Sequence, residues 1–353
     1  MRRIKVLHVI TGLGPGGAER LVLDLMRHSD SNQFEVRLVS IVDDLRALEL
    51  YGHRGFTVEV FDLKQSDRIT RFQQMRAFMT DFRPDIIHAH MFHSLIAALL
   101  ASRFMPSPPA VCFTSHSSKH SWGRQKVIQL LTHLRDADII FSPEQHPNLN
   151  TDRTEIIPNG VSFDCKMPIR KLWEPLGPVR LLSVGRLADS KDPLGLLTSV
   201  ANANLPHLSL EFVGAGPLQD SARALAEKLG ISDRVVFHGL RSDVKGLMKN
   251  ADIFVMHSKW EGMPMALLEA GAEAMPVLAT PVGSIPELLR EDRGWLASPI
   301  QFAEALRELV ANPTEAVRAG QRLFAHVSRW HSIQLSVRLH ERLYLSLMKE
   351  TSK

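Results

Sequence analysis

Two glutamates eight residues apart, Glu261 and Glu269, stand in the stretch Ser258-Lys-Trp-Glu261-Gly-Met-Pro-Met-Ala-Leu-Leu-Glu269-Ala-Gly. A strand-like run, Ile253–Met256, precedes them, and Pro264 suits the first turn of the helix expected next. Glu261 then falls in the loop and Glu269 in the second helical turn, roughly 12 Å apart along a continuous helix. That is too far for the carboxyl pair, ~5–9.5 Å apart, with which glycosidases work. Two separate hydrogen-bonding tasks on one extended ligand are the better reading. Leu267, Leu268, Ala270 and Ala272 are apolar, so Glu269 is expected to be half-buried and in need of a partner. The plainer alternative is that Glu269 and Glu273 decorate an amphipathic helix.

Val184-Gly-Arg186-Leu-Ala-Asp-Ser-Lys191 ends another strand-like run, Val179–Val184. Ligands of open α/β sheets bind at the carboxyl ends of strands, which places Arg186 and Lys191 for a shared anion. A planar fork of donors and a point charge together suit a diphosphate, although a solvated surface pair reads the same way. Gly185, Gly214, Gly216 and Gly239 all fall just after strands, leaving room for close backbone approach to a ligand. Gly12-Leu-Gly-Pro-Gly-Gly17 follows the first strand and opens a helix, whose N-terminus offers free N–H groups. It matches a dinucleotide fingerprint only loosely, because Pro15 interrupts it and no acidic residue clearly ends the second strand to grip a ribose. A plain tight turn reads equally well.

His88, His90 and His93 invite a metal reading, since alternate strand residues share a face. No carboxylate or cysteine lies nearby in sequence to complete a ligand set, and no metal is expected. His116, in Thr114-Ser-His116-Ser, ends a strand and suits contact with a sugar or phosphate better than a nucleophilic triad, for no nucleophile-elbow sequence accompanies it.

The elements that must position these residues alternate. Ile4–Ile10, Val36–Ser40, Thr57–Phe61, Asp85–His90, Ala110–Thr114, Ile139–Ser142 and Glu155–Ile157 read as strands separated by helical spacing. A turn-rich segment with four prolines runs from Pro158 to Pro178, and the alternation then restarts at Val179. Leu208–Val213, Arg234–Phe237, Ile253–Met256 and Pro276–Ala279 continue the strands, and the tail from Thr314 is helical, with Trp330–Met348 as one helix of about five turns. This predicts an α/β protein of two doubly wound parallel sheets, with domains at 1–167 and 168–327 and a helical tail at 328–353 packing back on the first.

Length and composition agree. At about 150 residues per domain, 353 residues suggest two domains, and 44% hydrophobic with 23% charged residues is ordinary for a globular protein. Disordered, collagen-like and disulfide-stapled classes are excluded, since Cys112 and Cys165 are too few for a disulfide framework. The longest apolar run, Leu95–Ala101, is far below the ~18 residues of a membrane span. The basic-then-apolar start lacks a cleavage site, so a cytoplasmic protein is expected. The net charge of +4 indicates no nucleic-acid partner. Ile86–Arg135, however, has no acidic residue while holding Arg103, Lys119, Arg124, Lys126 and Arg135, a pattern either of chance or of a surface built for anions.

Taken in order, Gly16-Gly17-Ala-Glu-Arg, Asp85-Ile-Ile-His-Ala-His90, Thr114-Ser-His116, Ile157-Pro-Asn-Gly-Val161, Val184-Gly-Arg-Leu187 with Lys191, Val213-Gly-Ala-Gly-Pro217, Phe237-His-Gly239, Glu261 through Glu269, and Pro281 through Glu287 resemble the retaining glycosyltransferases of family 4. The resemblance spans nearly the whole chain, with one departure at Gly294-Trp-Leu-Ala-Ser-Pro, where an acidic turn is shortened. It implies the GT-B fold, two facing Rossmann-like domains with an inter-domain cleft.

It also implies roles. Arg186 and Lys191 look like the pair on the donor's diphosphate, Glu269 like the ribose ligand, and Glu261 like the contact to the transferred sugar's hydroxyls. Gly262, Met263 and Met265 should turn backbone toward sugar and phosphate, with Gly185, Gly214 and Gly239 beside the donor. Gly16 and Gly17 look like a loop closing over the reacting centre, and His116 like its partner beside the sugar. The family uses nucleotide-sugar donors, UDP more often than GDP, with retention and without a metal cofactor. Its acceptors are glycans or lipid-linked sugars in surface polysaccharide or lipopolysaccharide synthesis. A nucleotide-sugar epimerase of the same fold would want further acid–base groups, and a non-catalytic binding protein would have no need of the four charged residues. Lys119, His120, Trp122, Arg124 and Lys126 beside His116 would suit peripheral contact with an anionic membrane that carries the acceptor.

Overall fold

The computed structural model describes residues 2–52, 55–103, 105–116, 122–142, 153–164, 166–174 and 176–351. The chain forms two compact units, one of residues 1–159 with 333–353 and the other of residues 160–332. The boundaries thus lie at 159/160 and 332/333, where sequence placed them at 167/168 and 327/328. Lys119 and Cys165 lie outside the described residues, while Cys112 is a buried free thiol.

The first unit alternates β1 (Ile4–Ile10), α1 (Gly17–His28), β2 (Phe34–Ser40), α2 (Arg46–Leu50), β3 (Val58–Val60), α3 (Arg68–Phe82), β4 (Ile86–His90), α4 (Phe92–Ser102), β5 (Ala110–Thr114), α5 (Trp122–Leu130), β6 (Ala137–Ile140) and β7 (Thr154–Ile156). All pair in parallel in the order β3-β2-β1-β4-β5-β6-β7. Parallel strands are covered on both faces, which explains runs such as Ile-Lys-Val-Leu-His-Val-Ile. On one face Leu7, Val9, Ile87 and Phe113 pack against Met75 and Met79 of α3 and Leu95 and Leu99 of α4. On the other, Val6, Phe34, Ile86, Ala110 and Cys112 pack against Leu343, Tyr344 and Leu347 from the end of the chain.

The second unit holds β8 (Val179–Val184), α6 (Pro193–Asn202), β9 (Leu208–Val213), α7 (Gln219–Lys228), β10 (Val235–Phe237), α8 (Val244–Asn250), β11 (Ile253–Met256), α9 (Met265–Ala272), β12 (Val277–Ala279), α10 (Ile285–Leu289), β13 (Trp295–Leu296), α11 (Phe302–Ala311) and α12 (Pro313–Trp330). Its parallel order is β10-β9-β8-β11-β12-β13. The final helix, α13 (Ile333–Thr351), belongs to the first unit, with Ile333 and Val337 packed on Leu21 and Leu25 of α1. No helix among the described residues is long and apolar enough to cross a membrane.

Strand order reverses between β1 and β4 in one sheet and between β8 and β11 in the other. Adjacent helices leave in opposite directions there, and the crevice outside the strand ends takes ligands. The segments after β1, β4, β8 and β11 are therefore where side chains can meet a ligand: Gly16 and Gly17 follow β1, Arg186 and Lys191 follow β8, and Glu261 follows β11, whereas His116 follows β5, Gly214 β9 and Gly239 β10.

Three expectations are corrected. The helical tail is two helices, because Val161 N–H donates to the His331 carbonyl (2.8 Å) and Val161 bridges Ser332, drawing the chain out between Trp330 and Ile333. Strand β6 begins at Ala137 instead of Ile139, after α5 ends at Leu130 and a short 3-10 turn follows at Thr132–Leu134. Arg135 is not a surface cation. Its guanidinium is fully buried and donates to both carboxylate oxygens of Asp138 (2.5 and 2.9 Å) and to the Ile128 carbonyl (2.7 Å).

Candidate active site

In the second unit, Lys191 Nζ pairs with Glu261 Oε1, and the Ser258 hydroxyl donates to the same oxygen (2.6 Å). Glu261 is only 8% exposed, so these donors answer the cost of burying its charge. Lys191 follows β8 and Glu261 follows β11, the two strands at the switch point. The Lys191 stem runs over Gly185, where an added Cβ would meet its methylenes at 3.5–3.6 Å. Arg186 is exposed on the same loop. One small pocket here is lined by Gly185, Arg186, Lys191, Phe212, His257 and Ser258.

The loop carrying Lys191 is held from below. Asp192 adopts a left-handed conformation (φ 46°), caps α6 by accepting from Gly195 N–H (3.3 Å), and accepts from His257 Nδ1 (2.9 Å). Burial pushes the His257 pKa down against the opposing pull of Asp192, so the ring is neutral and its Nε2 accepts from the Ser199 hydroxyl (3.3 Å). This reproduces the bond order of an acyl-transfer triad, but Ser199 is 6% exposed inside α6 and orients the ring instead of attacking a substrate. Sequence reading missed Asp192, His257 and Ser258. A polar His-Ser pair directly after β11 was the available signal.

The loop Glu261–Met265 is clamped by the segment after β12. Ser284 donates both its N–H and its hydroxyl to the Gly262 carbonyl (3.0 Å each). Gly283 (φ 58°) passes so close that a Cβ would lie 2.3 Å from the Glu261 carbonyl oxygen. Met263 and Met265 bury their side chains, so what the loop can offer a ligand is backbone at the start of α9. Glu269 is half-buried in the second turn of α9, as its apolar neighbours predicted.

Gly185, Gly214 and Gly239 meet one another. Gly214 N–H donates to the Gly239 carbonyl (2.8 Å), and a Cβ on Gly214 would sit 2.1 Å from the Gly185 carbonyl oxygen. Here the missing side chain of Gly214 lets the ends of β8 and β9 converge.

In the first unit the loop after β1 is tied to the segment after β2: Leu13 N–H donates to the Asp44 carbonyl (2.6 Å) and Ala47 N–H to the Leu13 carbonyl (2.8 Å). Gly16 caps α1, Gly17 is its first residue, and a Cβ on Gly16 would lie 2.3 Å from the Glu19 carboxylate, which folds back over the helix start. His116 follows β5 in a left-handed conformation (φ 58°), its Nε2 3.0 Å from His90 Nδ1. His88 and His90 are joined by His8, one ring nitrogen from each of the three lying within 4.8 Å of the others, whereas His93 is exposed in the first turn of α4. His8, His340 and Tyr344 escaped the sequence reading; His8 stands out only as a polar residue inside an apolar strand. Arg124 and Lys126 are exposed on α5.

Residues 15–164 match the family described as Glycosyltransferase Family 4, and residues 169–323 match Glycosyl transferases group 1. The putative glycosyltransferase EpsF of Bacillus subtilis is 26% identical over 90% of this chain and 88% of its own length. A UDP-Gal:alpha-D-GlcNAc-diphosphoundecaprenol alpha-1,3-galactosyltransferase of Escherichia coli is 24% identical over 79% of each chain. Among solved structures, Anabaena HepE in complex with UDP and glucose superposes with a TM-score of 0.80 at 19% identity, covering 98% of this chain and 99% of its own. Two parallel α/β units with ligand-facing loops at their switch points are the GT-B architecture, and the chain belongs to the family-4-type glycosyltransferases.

Proposed function

We propose that the chain is a retaining glycosyltransferase that moves a sugar from a nucleoside-diphosphate donor, UDP in preference to GDP, to a hydroxyl of a glycan or lipid-linked acceptor. The observation that carries this reading is the gathering of Arg186, Lys191 and Glu261 at the β8–β11 switch point, with Glu269 one helix on. Arg186 and Lys191 neutralise the charge that grows on the departing diphosphate, where preorganised donors act most strongly. The diphosphate oxygen then takes the acceptor hydroxyl's proton as the sugar is transferred on the same face, so neither a protein base nor a resident metal is needed. Glu269 holds the ribose, Glu261 the sugar hydroxyls, and His116 contacts the sugar. Relatives named for a UDP-Gal donor, a diphosphoundecaprenol acceptor and lipopolysaccharide core synthesis support polysaccharide or lipopolysaccharide assembly.

A panel of nucleotide-sugars tested for thermal stabilisation identifies the donor. A ligand at 100 times its Kd adds ~2.7 kcal/mol. The anomeric configuration of the product, read by NMR, tests retention. An inverted product would overturn the mechanism, and interconversion of the donor's sugar without an acceptor would indicate an epimerase.

Peripheral membrane contact has its own support. Trp122 is 73% and Leu130 77% exposed on α5, next to exposed Arg124 and Lys126, and the Lys126 ammonium lies 3.7 Å from the centre of the Trp122 ring. Apolar and cationic groups on one short helix are suited to an anionic interface.

A further inference from the structure

His8, His88, His90, His116 and His340 fill one region of the first sheet, on the face covered by α13. His8 on β1 stands in register with His88 on β4, and His90 lies two residues on, on the same face. His8 Nδ1 is 2.8 Å from His90 Nε2, and His90 Nδ1 is 3.0 Å from His116 Nε2. His90 therefore spends both ring nitrogens on other imidazoles. His88 stands beside this row with its own partners, the Tyr344 hydroxyl at Nδ1 and the Thr114 hydroxyl at Nε2 (2.8 Å each). Burial pushes His8 and His116 down to about 3 and holds His88 and His90 far below the ordinary imidazole range, so the rings are neutral.

A neutral imidazole carries one N–H and one bare nitrogen. In a row of three such rings joined as these are, only two proton orders make both hydrogen bonds. In one, His8 Nδ1–H donates to His90 Nε2 and His90 Nδ1–H to His116 Nε2, which leaves His116 with its proton on Nδ1. In the other, His116 Nε2–H donates to His90 Nδ1 and His90 Nε2–H to His8 Nδ1, which leaves His116 Nδ1 bare. Either way the three rings share one tautomer, and Nδ1 of His116 is the nitrogen outside the row. The end of the row is also held in an uncommon backbone. His116 (φ 58°) and Met91 (φ 72°), which follows His90, both have positive φ, and Met91 N–H donates to the Thr114 carbonyl (2.9 Å). Such conformations persist where surrounding contacts over-determine them.

We propose that His8 and His90 are positioning residues that set the tautomer and ring orientation of His116, and so decide from inside the sheet whether His116 Nδ1 donates or accepts a hydrogen bond. Its bearing on transfer rests on the reading of His116 as a contact to the donor sugar; the tautomer coupling does not. A three-histidine metal site is the competing use of the same rings, but His88 has both nitrogens engaged and His90 bonds to two rings.

The test is two-bond ring 1H–15N correlation on the full chain labelled with 15N-histidine near pH 7.5, with His8→Asn and His116→Asn variants assigning the signals. The wild type alone decides the first point: His8, His90 and His116 must all show the same tautomer, and a mixed pattern overturns the proposal. His90→Phe should then shift the tautomer signal of His116, and an unmoved signal overturns it too. Stoichiometric zinc in the purified wild type would assign the rings to a metal instead. In turnover, His90→Gln should lower kcat about tenfold, the scale of losing an orienting partner, with the donor KM unchanged. A chain that transfers no sugar leaves the tautomer measurement as it stands, so failure of the enzymatic reading and failure of the coupling are separate results.

Discussion

Lys191 and Glu261, seventy residues apart in sequence, form an ion pair between the loops that follow the two switch-point strands of the second unit. The same carboxylate oxygen also takes the Ser258 hydroxyl, so the cation and the acid assigned to donor phosphate and donor sugar constrain each other before any donor arrives. Arg186, exposed on the same loop, stands outside that arrangement.

This asymmetry separates two substitutions. Arg186→Ala should cost ~3 kcal/mol of transition-state stabilisation, about a hundredfold in kcat/KM, without moving Tm. Lys191→Ala should lose as much activity and also lower Tm, because it strands a buried carboxylate with one neutral donor. Unchanged turnover in both would remove the diphosphate assignment.

Free UDP distinguishes the two glutamates. Glu269→Gln should weaken its binding more than Glu261→Gln does, since the ribose belongs to the nucleotide and the sugar does not. Isothermal titration reads this directly, and the opposite ranking would exchange the roles.

Gly283→Ala should impair both stability and transfer. Its positive φ and the 2.3 Å approach to the Glu261 carbonyl force either strain or displacement of the Glu261 loop. A loss of more than ~2 kcal/mol in urea unfolding is expected, the range of a strained backbone position.

Acid should destabilise the first unit through its histidines. His8 and His116 at about 3 and His340 at about 4 lie below the unfolded value of 6.5, so the unfolded chain binds protons that the native fold refuses. Their contribution is complete above pH 6.5 and is lost as pH falls from there toward 4, by ~1.4 kcal/mol per pH unit for each histidine. Urea midpoints at pH 7, 6 and 5 check the slope, and His340→Leu should flatten it.

Vesicles test the α5 surface. The chain should sediment with anionic vesicles and not with neutral ones, release in high salt, and lose binding when Trp122, Arg124 and Lys126 become Ser. Each cation contributes ~1 kcal/mol near such a surface. Equal binding to both vesicle types would leave the membrane contact without support.

Most strands were readable because parallel strands are buried on both faces and appear as unbroken apolar runs. β6 was displaced for the converse reason: Asp138 looks like a solvent residue and is instead neutralised inside the sheet by Arg135. The tail looked continuous because helical periodicity carries across His331 and Ser332, and only a backbone contact from Val161 breaks it. At the site, Glu261 and Glu269 occupy the loop and helical turn their spacing indicated. Their partners were invisible, since Lys191 meets Glu261, and His8 meets His90, through strand order that no local pattern contains. Gly185, Gly214 and Gly239 were legible as strand-end glycines, but the close approach of Gly214 to the Gly185 carbonyl comes only from the sheet.

The return of α13 to the first unit orders events during synthesis. Domains generally fold as units while the chain emerges, the N-terminal one first. Here residues 160–332 form an uninterrupted unit and can complete their core early, whereas the first sheet lacks its cover until residues 333–353 leave the ribosome. Until then Val6, Phe34, Ile86, Ala110 and Cys112 have no Leu343, Tyr344 or Leu347 to bury them, and His88 has no Tyr344 hydroxyl. A premature stop near residue 332 would therefore leave the younger half of the nascent protein finished and the older half sticky, a substrate for chaperones and proteases.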